Sequence, residues 1–270
     1  MVSVTDNIIK FIATYFHISL FTLIKLIVLF LIFTIVIATV TLIERKVLSL
    51  LQRRVGPNYI GYKGRLQFIA DALKLLLKHI AIINKTSRLF FIAIPALILI
   101  VSYLFWANLV WMPNLAICEI EYNIIFLAII SSILSYLLVL VGYASNNKYA
   151  AMSSTRVLII SLNLEILLNF MLLSLGMIVD GLSFEHLVEF QTSWKLHVLL
   201  FLPILPIIII TFLLETSRIP FDLTEAESEL IAGYTTEYGG FYFALFYLAE
   251  YFHLFTFSAV CVICFFGGWE

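Results

Sequence analysis

The sequence predicts an all-α integral membrane protein that forms a single membrane domain over residues 1–270. Hydrophobic residues make up 63% of the chain and charged residues only 12%, whereas a soluble domain carries about 25% charged residues. Six apolar runs are each long enough to cross a bilayer as a helix, which takes about 20 residues. These runs are continuous rather than alternating, so they predict helices and not a β-barrel. The composition excludes a water-soluble enzyme, a nucleic-acid binder and a disordered protein.

The six predicted spans follow one another without an internal repeat or a low-complexity linker. Two of them contain an acid, Glu165 in the fourth and Glu250 in the sixth. Pro203 and Pro206 interrupt the fifth, because proline removes a helical hydrogen bond. The spans lie near Ile18–Ile43, Leu89–Val110, Tyr122–Tyr143, Val157–Val179, Leu196–Leu214 and Phe241–Phe266.

The distribution of lysine and arginine predicts the orientation of these spans. Residues 44–88, between the first and second spans, carry ten Lys and Arg, whereas the next connection carries none. Since cytoplasmic loops are enriched in these residues, the basic loop lies on the cytoplasmic or mitochondrial matrix side, and the N-terminus lies opposite. By alternation the 215–240 loop is also inside, yet it holds one Arg against six acids. This exception indicates that the acids of the loop have a function other than setting the topology of the chain.

The basic inside loop continues into an amphipathic helix, expected at about 65–80. Gly56-Pro57-Asn58 predicts a turn. Beyond it, apolar residues recur with helical spacing on one face and Gln67, Asp71 and Lys74 lie on the other. A helix of this length with a clear polar face lies along the membrane interface rather than across the bilayer. The loop either sets topology and contacts lipid headgroups, or it is a docking surface and lip for a partner or an amphipathic substrate.

The acidic inside loop concentrates carboxylates over a few residues. Thr224 and Glu227 form a capping box that predicts the start of a new helix, in which Glu225 and Glu229 share a face. Closely spaced carboxylates repel one another, which keeps some of them protonated near neutral pH and able to carry protons. A solvated acidic loop or a cation site is the alternative interpretation.

The acids inside the spans are a third candidate feature. An ionisable group at membrane depth is costly and indicates a function by default, so Glu165 and Glu250 are candidate proton carriers. The alternative is a carboxyl that hydrogen bonds between helices. Cys261 and Cys264 share a helix face, but two thiols are too few for a zinc site, and neither they nor Cys118 has a predicted role beyond packing. The sequence predicts no metal and no cofactor bound by this chain.

These motifs resemble subunit 1 of respiratory complex I, the proton-pumping NADH:quinone oxidoreductase. The basic loop resembles the first inside loop of that family through Glu44-Arg45-Lys46, Arg54-x-Gly56-Pro57-Asn58 and Asp71-Ala72-x-Lys74. The acidic loop resembles its most characteristic stretch through Glu215-Thr-Ser-Arg218-x-Pro220-Phe221-Asp222-Leu-x-Glu225-x-Glu227-Ser-Glu229, then Glu237-Tyr238 and Ala249-Glu250-Tyr251. The resemblance runs in order from about Leu42 to Tyr251.

The resemblance implies a place at the heel of the complex and a tunnel that admits ubiquinone from the bilayer toward the terminal iron–sulfur cluster. It implies that the tunnel-lining and loop-bracing residues are Glu44, Arg45, Arg54, Asp71, Lys74, Arg218 and Phe221. It implies that the proton relay comprises Glu165, Glu215, Asp222, Glu225, Glu227, Glu229 and Glu250. Electron transfer would then use FMN and iron–sulfur clusters of partner subunits, with ubiquinone as substrate. The implied partners are hydrophilic subunits on the inside loops and small membrane subunits alongside.

Two departures from the family pattern accompany this resemblance. The family has Ser-Tyr-Glu at the acid of the fourth span, where this chain has Asn163-Leu164-Glu165, and Ile160 replaces the usual Gln upstream. The family also has eight spans and this sequence has six. We expect a separate chain to supply the last two helices, because the sixth span would otherwise expose a face.

The location and the competing functions follow from the same features. The absence of a presequence, with 24 Phe and 13 Tyr, indicates a gene of an A/T-rich organellar genome. The expected location is therefore the mitochondrial inner membrane, with the N-terminus on the intermembrane side; a bacterial plasma membrane is the alternative. Two other functions also fit buried acids in a helical membrane domain: the membrane subunit of an energy-converting hydrogenase, and a stand-alone ion transporter.

Overall fold

The computed structural model describes residues 2–79, 87–109, 122–179, 181–193, 203–218, 221 and 232–268. Within these ranges the regular structure is helical and no strand occurs, as predicted. Short 3₁₀ turns lie at Tyr62–Gly64 and Gly233–Thr235. The helices are α1 (Val2–Leu51), α2 (Gln67–Leu77), α3 (Arg88–Asn108), α4 (Asn123–Ser145), α5 (Lys148–Val179), α6 (Phe184–Ser193), α7 (Leu205–Glu215) and α8 (Phe241–Phe265).

Five helices of the described ranges are long and apolar enough to cross a membrane: α1 over Ile24–Leu51, α3, α4, α5 and α8. They correspond to predicted spans one to four and six. Of the fifth predicted span, residues 203–214 are described and Leu196 to Leu202 lie outside the described residues. The helix there, α7, is 11 residues long and carries Pro206 in its first turn, where proline is tolerated.

One helix end near the basic loop differs from the sequence prediction, and one helix was not predicted. Helix α1 continues to Leu51, beyond the predicted end at Ile43, so Glu44 and Arg45 lie on a helix and not in a loop. Helix α6 was not predicted. Its ten residues are too few for a span, and only Phe184, Leu187 and Val188 mark its buried face.

The core lies between α3, α4, α5 and α8. Helices α4 and α5 pack most extensively, and a tight turn with Asn146 in the left-handed conformation (φ 51°) joins them. A Cβ atom at Gly142 would lie 2.4 Å from the Cβ atom of Ser154, so only glycine permits this close approach. The largest fully buried side chains come from several of these elements and include Phe91, Phe105, Leu172, Phe252 and Phe257.

Helix α1 lies at the edge of the bundle. It contacts the core through Phe33, whose ring centroid is 3.8 Å from that of Trp106, and through Phe30, which stacks on Phe252 at 5.8 Å. The remaining apolar side chains of its span are largely exposed, as expected for a surface that faces lipid or another membrane chain. Among the spans, α8 is the most buried and α1 the least.

Helix α2 confirms the predicted amphipathic segment, with bounds three residues shorter at its C-terminal end. Leu66, which caps the helix, and Ile69 and Leu73 within it are between 44% and 51% exposed, as a helix lying at the interface requires. The end of α2 packs on the start of α8, where Gly240 (φ +60°) approaches the carbonyl oxygen of Lys78. This contact places the basic loop beside α8.

Candidate functional site

Three distant segments meet in a cluster of charged and phenolic side chains, here called the ion-pair cluster: Glu44, Arg218, Glu250 and Tyr251. Arg218 Nη1 donates to Glu44 Oε1 at 3.0 Å, and Arg218 Nη2 lies 3.2 Å from Glu250 Oε1. The Tyr251 hydroxyl donates to Glu44 Oε2. The guanidinium also lies over the Tyr251 ring, 4.7 Å from its centroid. One cation therefore serves two carboxyls, one from α1 and one from α8.

The end of α7 positions Arg218. Ser217 adopts the left-handed conformation (φ 48°), and the Arg218 N–H donates to the Leu213 carbonyl oxygen at 3.1 Å. This cap ends the helix and turns the chain sharply. Burial alone lowers the pKa of Arg218, but its contacts with Tyr251, Glu250 and Glu44 outweigh burial and raise that pKa above its ordinary value. Arg218 is therefore a fixed positive charge.

A second phenol extends the ion-pair cluster along α8. The hydroxyls of Tyr247 and Tyr251 lie 3.1 Å apart, and either can donate to the other. The two residues are one turn apart on the same helix face. Since Tyr251 already donates to Glu44, Tyr247 is the donor in this pair.

A cavity of about 70 Å³ adjoins the ion-pair cluster, and we call it the polar cavity. Its polar lining includes Ser135, Glu215, Glu250 and His253, from α4, α7 and α8. Its volume holds several water molecules. Glu215 Oε2 is buried and has no hydrogen-bond partner among the described residues. Because Glu250 also belongs to the ion-pair cluster, the polar cavity and that cluster are continuous.

Glu165 lies behind the polar cavity on α5. It is 8% exposed and accepts a hydrogen bond from the Ser135 hydroxyl of α4. Glu165 also interacts electrostatically with Glu215. The described carboxyls therefore form a series from Glu44 and Glu250 through Glu215 to Glu165. Carboxyls in such a series, linked by hydroxyls and water, can pass protons.

The basic loop is braced against α1. Arg45 Nη1 forms an ion pair with Asp71 Oδ2, and the Gln67 amide donates to Asp71 Oδ1 at 3.2 Å. Lys46 Nζ donates to the carbonyl oxygen of Lys63 at 2.7 Å. These contacts connect the end of α1 to α2 and to the 3₁₀ turn before it.

The remaining predicted residues lie apart from these contacts or outside the described residues. Arg54 and Lys74 are exposed, and neither makes a salt bridge with a described residue. Phe221 is half-buried, and its N–H donates to the Arg218 carbonyl oxygen at 2.7 Å. The predicted capping box and helix of the acidic loop lie outside the described residues, as do Asp222, Glu225, Glu227 and Glu229.

Sequence analysis missed three polar groups of this site. Ser135 lies among other serines of an apolar span, Tyr247 looks like one aromatic residue of many, and His253 has no companion at ligand spacing. For Tyr247 the one available signal was its position four residues before Tyr251. In the described part of the chain no group of three His, Cys, Asp or Glu side chains is placed to hold a metal ion.

Comparison with known proteins adds a family match. The profile of a family described as NADH dehydrogenase matches residues 24–270. NADH-ubiquinone oxidoreductase chain 1 of Paramecium tetraurelia is 52% identical over 248 residues, which cover 92% of this chain and 95% of that protein. An NADH-quinone oxidoreductase subunit of Vesicomyosocius okutanii is 37% identical over 94% of this chain and 71% of its own length. NADH-ubiquinone oxidoreductase chain 1 of Metridium senile is 34% identical, over 92% and 74% of the respective lengths.

Proposed function

The chain belongs to the NADH dehydrogenase family as a membrane subunit of NADH:quinone oxidoreductase, and we propose that it forms the ubiquinone-access tunnel and the first part of the acidic proton path. One observation carries this proposal: the ion-pair cluster continues through the polar cavity to Glu215 and Glu165. The names of the relatives favour this function over an energy-converting hydrogenase subunit or a stand-alone transporter.

The geometry supports an electrostatic mechanism. Reducing ubiquinone to the quinol adds two electrons and takes up two protons. An acid that donates a proton on the tunnel side becomes negative, and its charge favours protonation of its neighbours. Arg218 lies between Glu44 and Glu250 and pairs with both carboxyls. Glu215, whose buried Oε2 lacks a partner among the described residues, is the described acid most suited to change its protonation state.

The other predicted residues take their proposed roles from their position in the chain and in the structure. The Arg45–Asp71 pair and the Lys46 contact hold the basic loop as the lip of the tunnel, and Arg54, Lys74 and Phe221 line or brace it. The acids outside the described residues, Asp222, Glu225, Glu227 and Glu229, continue the relay toward the hydrophilic subunits. Those subunits carry the FMN and iron–sulfur clusters, and this chain supplies protein groups and electrostatics.

Replacing Glu215 with Gln tests the relay in the assembled complex. Quinone reduction by NADH, proton translocation, or both should fall, because an amide cannot carry the proton. NADH oxidation by a soluble artificial acceptor, which bypasses the quinone site, should not change. Glu185→Gln is the matched control, since Glu185 is an exposed carboxyl on α6. Normal rates and proton stoichiometry in Glu215→Gln would rule out the relay role.

The location and partners are part of the same proposal. The chain lies in the mitochondrial inner membrane with its N-terminus on the intermembrane side, beside small membrane subunits. Mass spectrometry of every polypeptide in the natively purified complex tests these partners. Flavin and iron–sulfur subunits of an NADH dehydrogenase, together with small membrane chains, support the proposal. Purification of the chain alone, or with nickel-containing partners, overturns it.

A further inference from the structure

His253 is a buried titratable residue to which the proposed proton path gives no role. It lies on α8, one turn after Glu250, and is 6% exposed. Its ring packs against Phe105, with centroids 5.2 Å apart, and against Phe257, at 4.3 Å. These two contacts restrict the orientation of the imidazole. His253 lines the polar cavity, and its Nε2 atom is buried without a partner among the described residues.

Glu215 carries a second unpaired buried atom, Oε2, and lines the same cavity. It reaches the polar cavity from the end of α7, while His253 reaches it from α8. A buried polar atom without a hydrogen bond costs about 1–3 kcal/mol. Both atoms belong to residues that line one cavity, so a ligand bound in that cavity is the available source of their partners. Water can serve as the partner of both atoms, because it donates to a carboxyl oxygen and either donates to or accepts from an imidazole nitrogen.

We propose that the polar cavity is a bound-water site held by Glu215 Oε2 and His253 Nε2, and that His253 positions this water against the Glu215 carboxyl. The volume of about 70 Å³ holds several waters, and a buried water needs two to four polar partners. The Ser135 and Glu250 side chains complete that set. His253 is then a positioning residue that acts through water on Glu215, and its importance for turnover rests on the relay proposed above.

The phenyl contacts suggest the variants that separate this role from packing. His253→Phe keeps an aromatic ring in contact with Phe105 and Phe257 but removes the hydrogen-bonding nitrogen. His253→Gln keeps a polar group that can reach a water. In the assembled complex we expect quinone reduction to fall about fivefold to tenfold in His253→Phe, as for one lost hydrogen bond to a buried acid. We expect most of the rate to remain in His253→Gln.

Two further measurements exclude a merely structural effect. His186→Phe is the control, because His186 is exposed on α6 and does not line the polar cavity. The double variant Glu215→Gln/His253→Phe should be no slower than Glu215→Gln alone, since His253 acts only through Glu215. Rates are normalised to NADH oxidation by an artificial acceptor, which reports the amount of assembled complex. Losses that multiply in the double variant would overturn the positioning role.

The water itself is tested in the unmodified complex, by a map of sufficient resolution to show ordered solvent. Density for water in contact with both His253 Nε2 and Glu215 Oε2 supports the inference, and its absence overturns it even if His253→Phe fails to assemble. This outcome is distinct from failure of the proposed function. Full activity of Glu215→Gln would refute the relay while leaving the water site intact. Impaired Glu215→Gln without cavity water would refute only the water site.

Discussion

Replacing Arg218 with Met should loosen the junction between α1, the end of α7 and α8. Arg218 makes two ion contacts, 3.0 Å to Glu44 and 3.2 Å to Glu250, and lies 4.7 Å from the Tyr251 ring centroid. Because the three charged side chains are 23%, 38% and 31% exposed, each ion contact is discounted to about 1 kcal/mol. The aromatic contact adds about 0.5–1 kcal/mol. The total is about 3 kcal/mol, a factor of about 100 in a local opening equilibrium.

Amide hydrogen exchange in the assembled complex measures that opening directly. We expect exchange of the Leu213–Arg218 segment to rise up to about a hundredfold in Arg218→Met. Arg218→Lys should give a smaller rise, since lysine keeps the charge but loses the fork that reaches both carboxyls. Adding Glu250→Gln to Arg218→Met should recover part of the protection, because it removes one uncompensated carboxylate.

The control for this experiment is Lys148→Met, which removes an exposed cation at the start of α5. It should leave exchange of the Leu213–Arg218 segment unchanged. Exchange in Arg218→Met that stays within about threefold of the unmodified complex would refute the reasoning. It would mean that the α7–α8 junction is held by packing alone and that the ion pairs add nothing to it.

Three further changes give distinct outcomes in the assembled complex. Asp71→Ala breaks the ion pair with Arg45. Because that pair is half exposed, the free energy of unfolding should fall by no more than about 1 kcal/mol, which a thermal inactivation curve checks. Gly142→Ala places a Cβ atom against Ser154, and this overpacking should cost about 1–3 kcal/mol and lower the yield of complex on a native gel. Ser135→Ala removes the hydroxyl that donates to Glu165. Proton translocation should slow, while NADH oxidation by an artificial acceptor should not change. Equal slowing of both rates would contradict a role of Ser135 in the proton path.

The parts of the fold that could be predicted are the helices that length and hydropathy alone identify. The spans at α3, α4, α5 and α8 are apolar enough to be recognised in isolation, and the spacing of Leu66, Ile69 and Leu73 identified α2. Helix α6 was missed because ten mostly polar residues resemble a loop, although Phe184, Leu187, Val188 and Gln191 have the i, i+3, i+4, i+7 spacing of a buried face. The end of α1 was placed too early because charges at 44–46 resemble a membrane boundary, while no helix-breaking residue follows until Gly56.

Some members of the candidate site could be predicted from the sequence, but their pairing could not. The resemblance supplied Glu44, Arg218 and Glu250, yet Glu44 and Arg218 are 174 residues apart, and sequence spacing says nothing of contacts between separate helices. The hydrogen-bond partner of Glu165 could not be predicted from the sequence either. Sequence analysis compared only its neighbours on the same helix, Ile160, Asn163 and Leu164, whereas the hydroxyl that donates to it belongs to Ser135 on α4.

The pairing of Arg218 also explains why the acidic inside loop departs from the charge rule. Arg218 is the single cation of residues 215–240, and its guanidinium is committed to Glu44 of α1 and Glu250 of α8, outside that loop. The six acids therefore have no other cation within residues 215–240 to neutralise them. They can lower their charge by holding protons, or by facing cations elsewhere in this chain or in a partner. An excess of acids does not itself fix topology, because orientation depends on Lys and Arg and carboxylates contribute little to it.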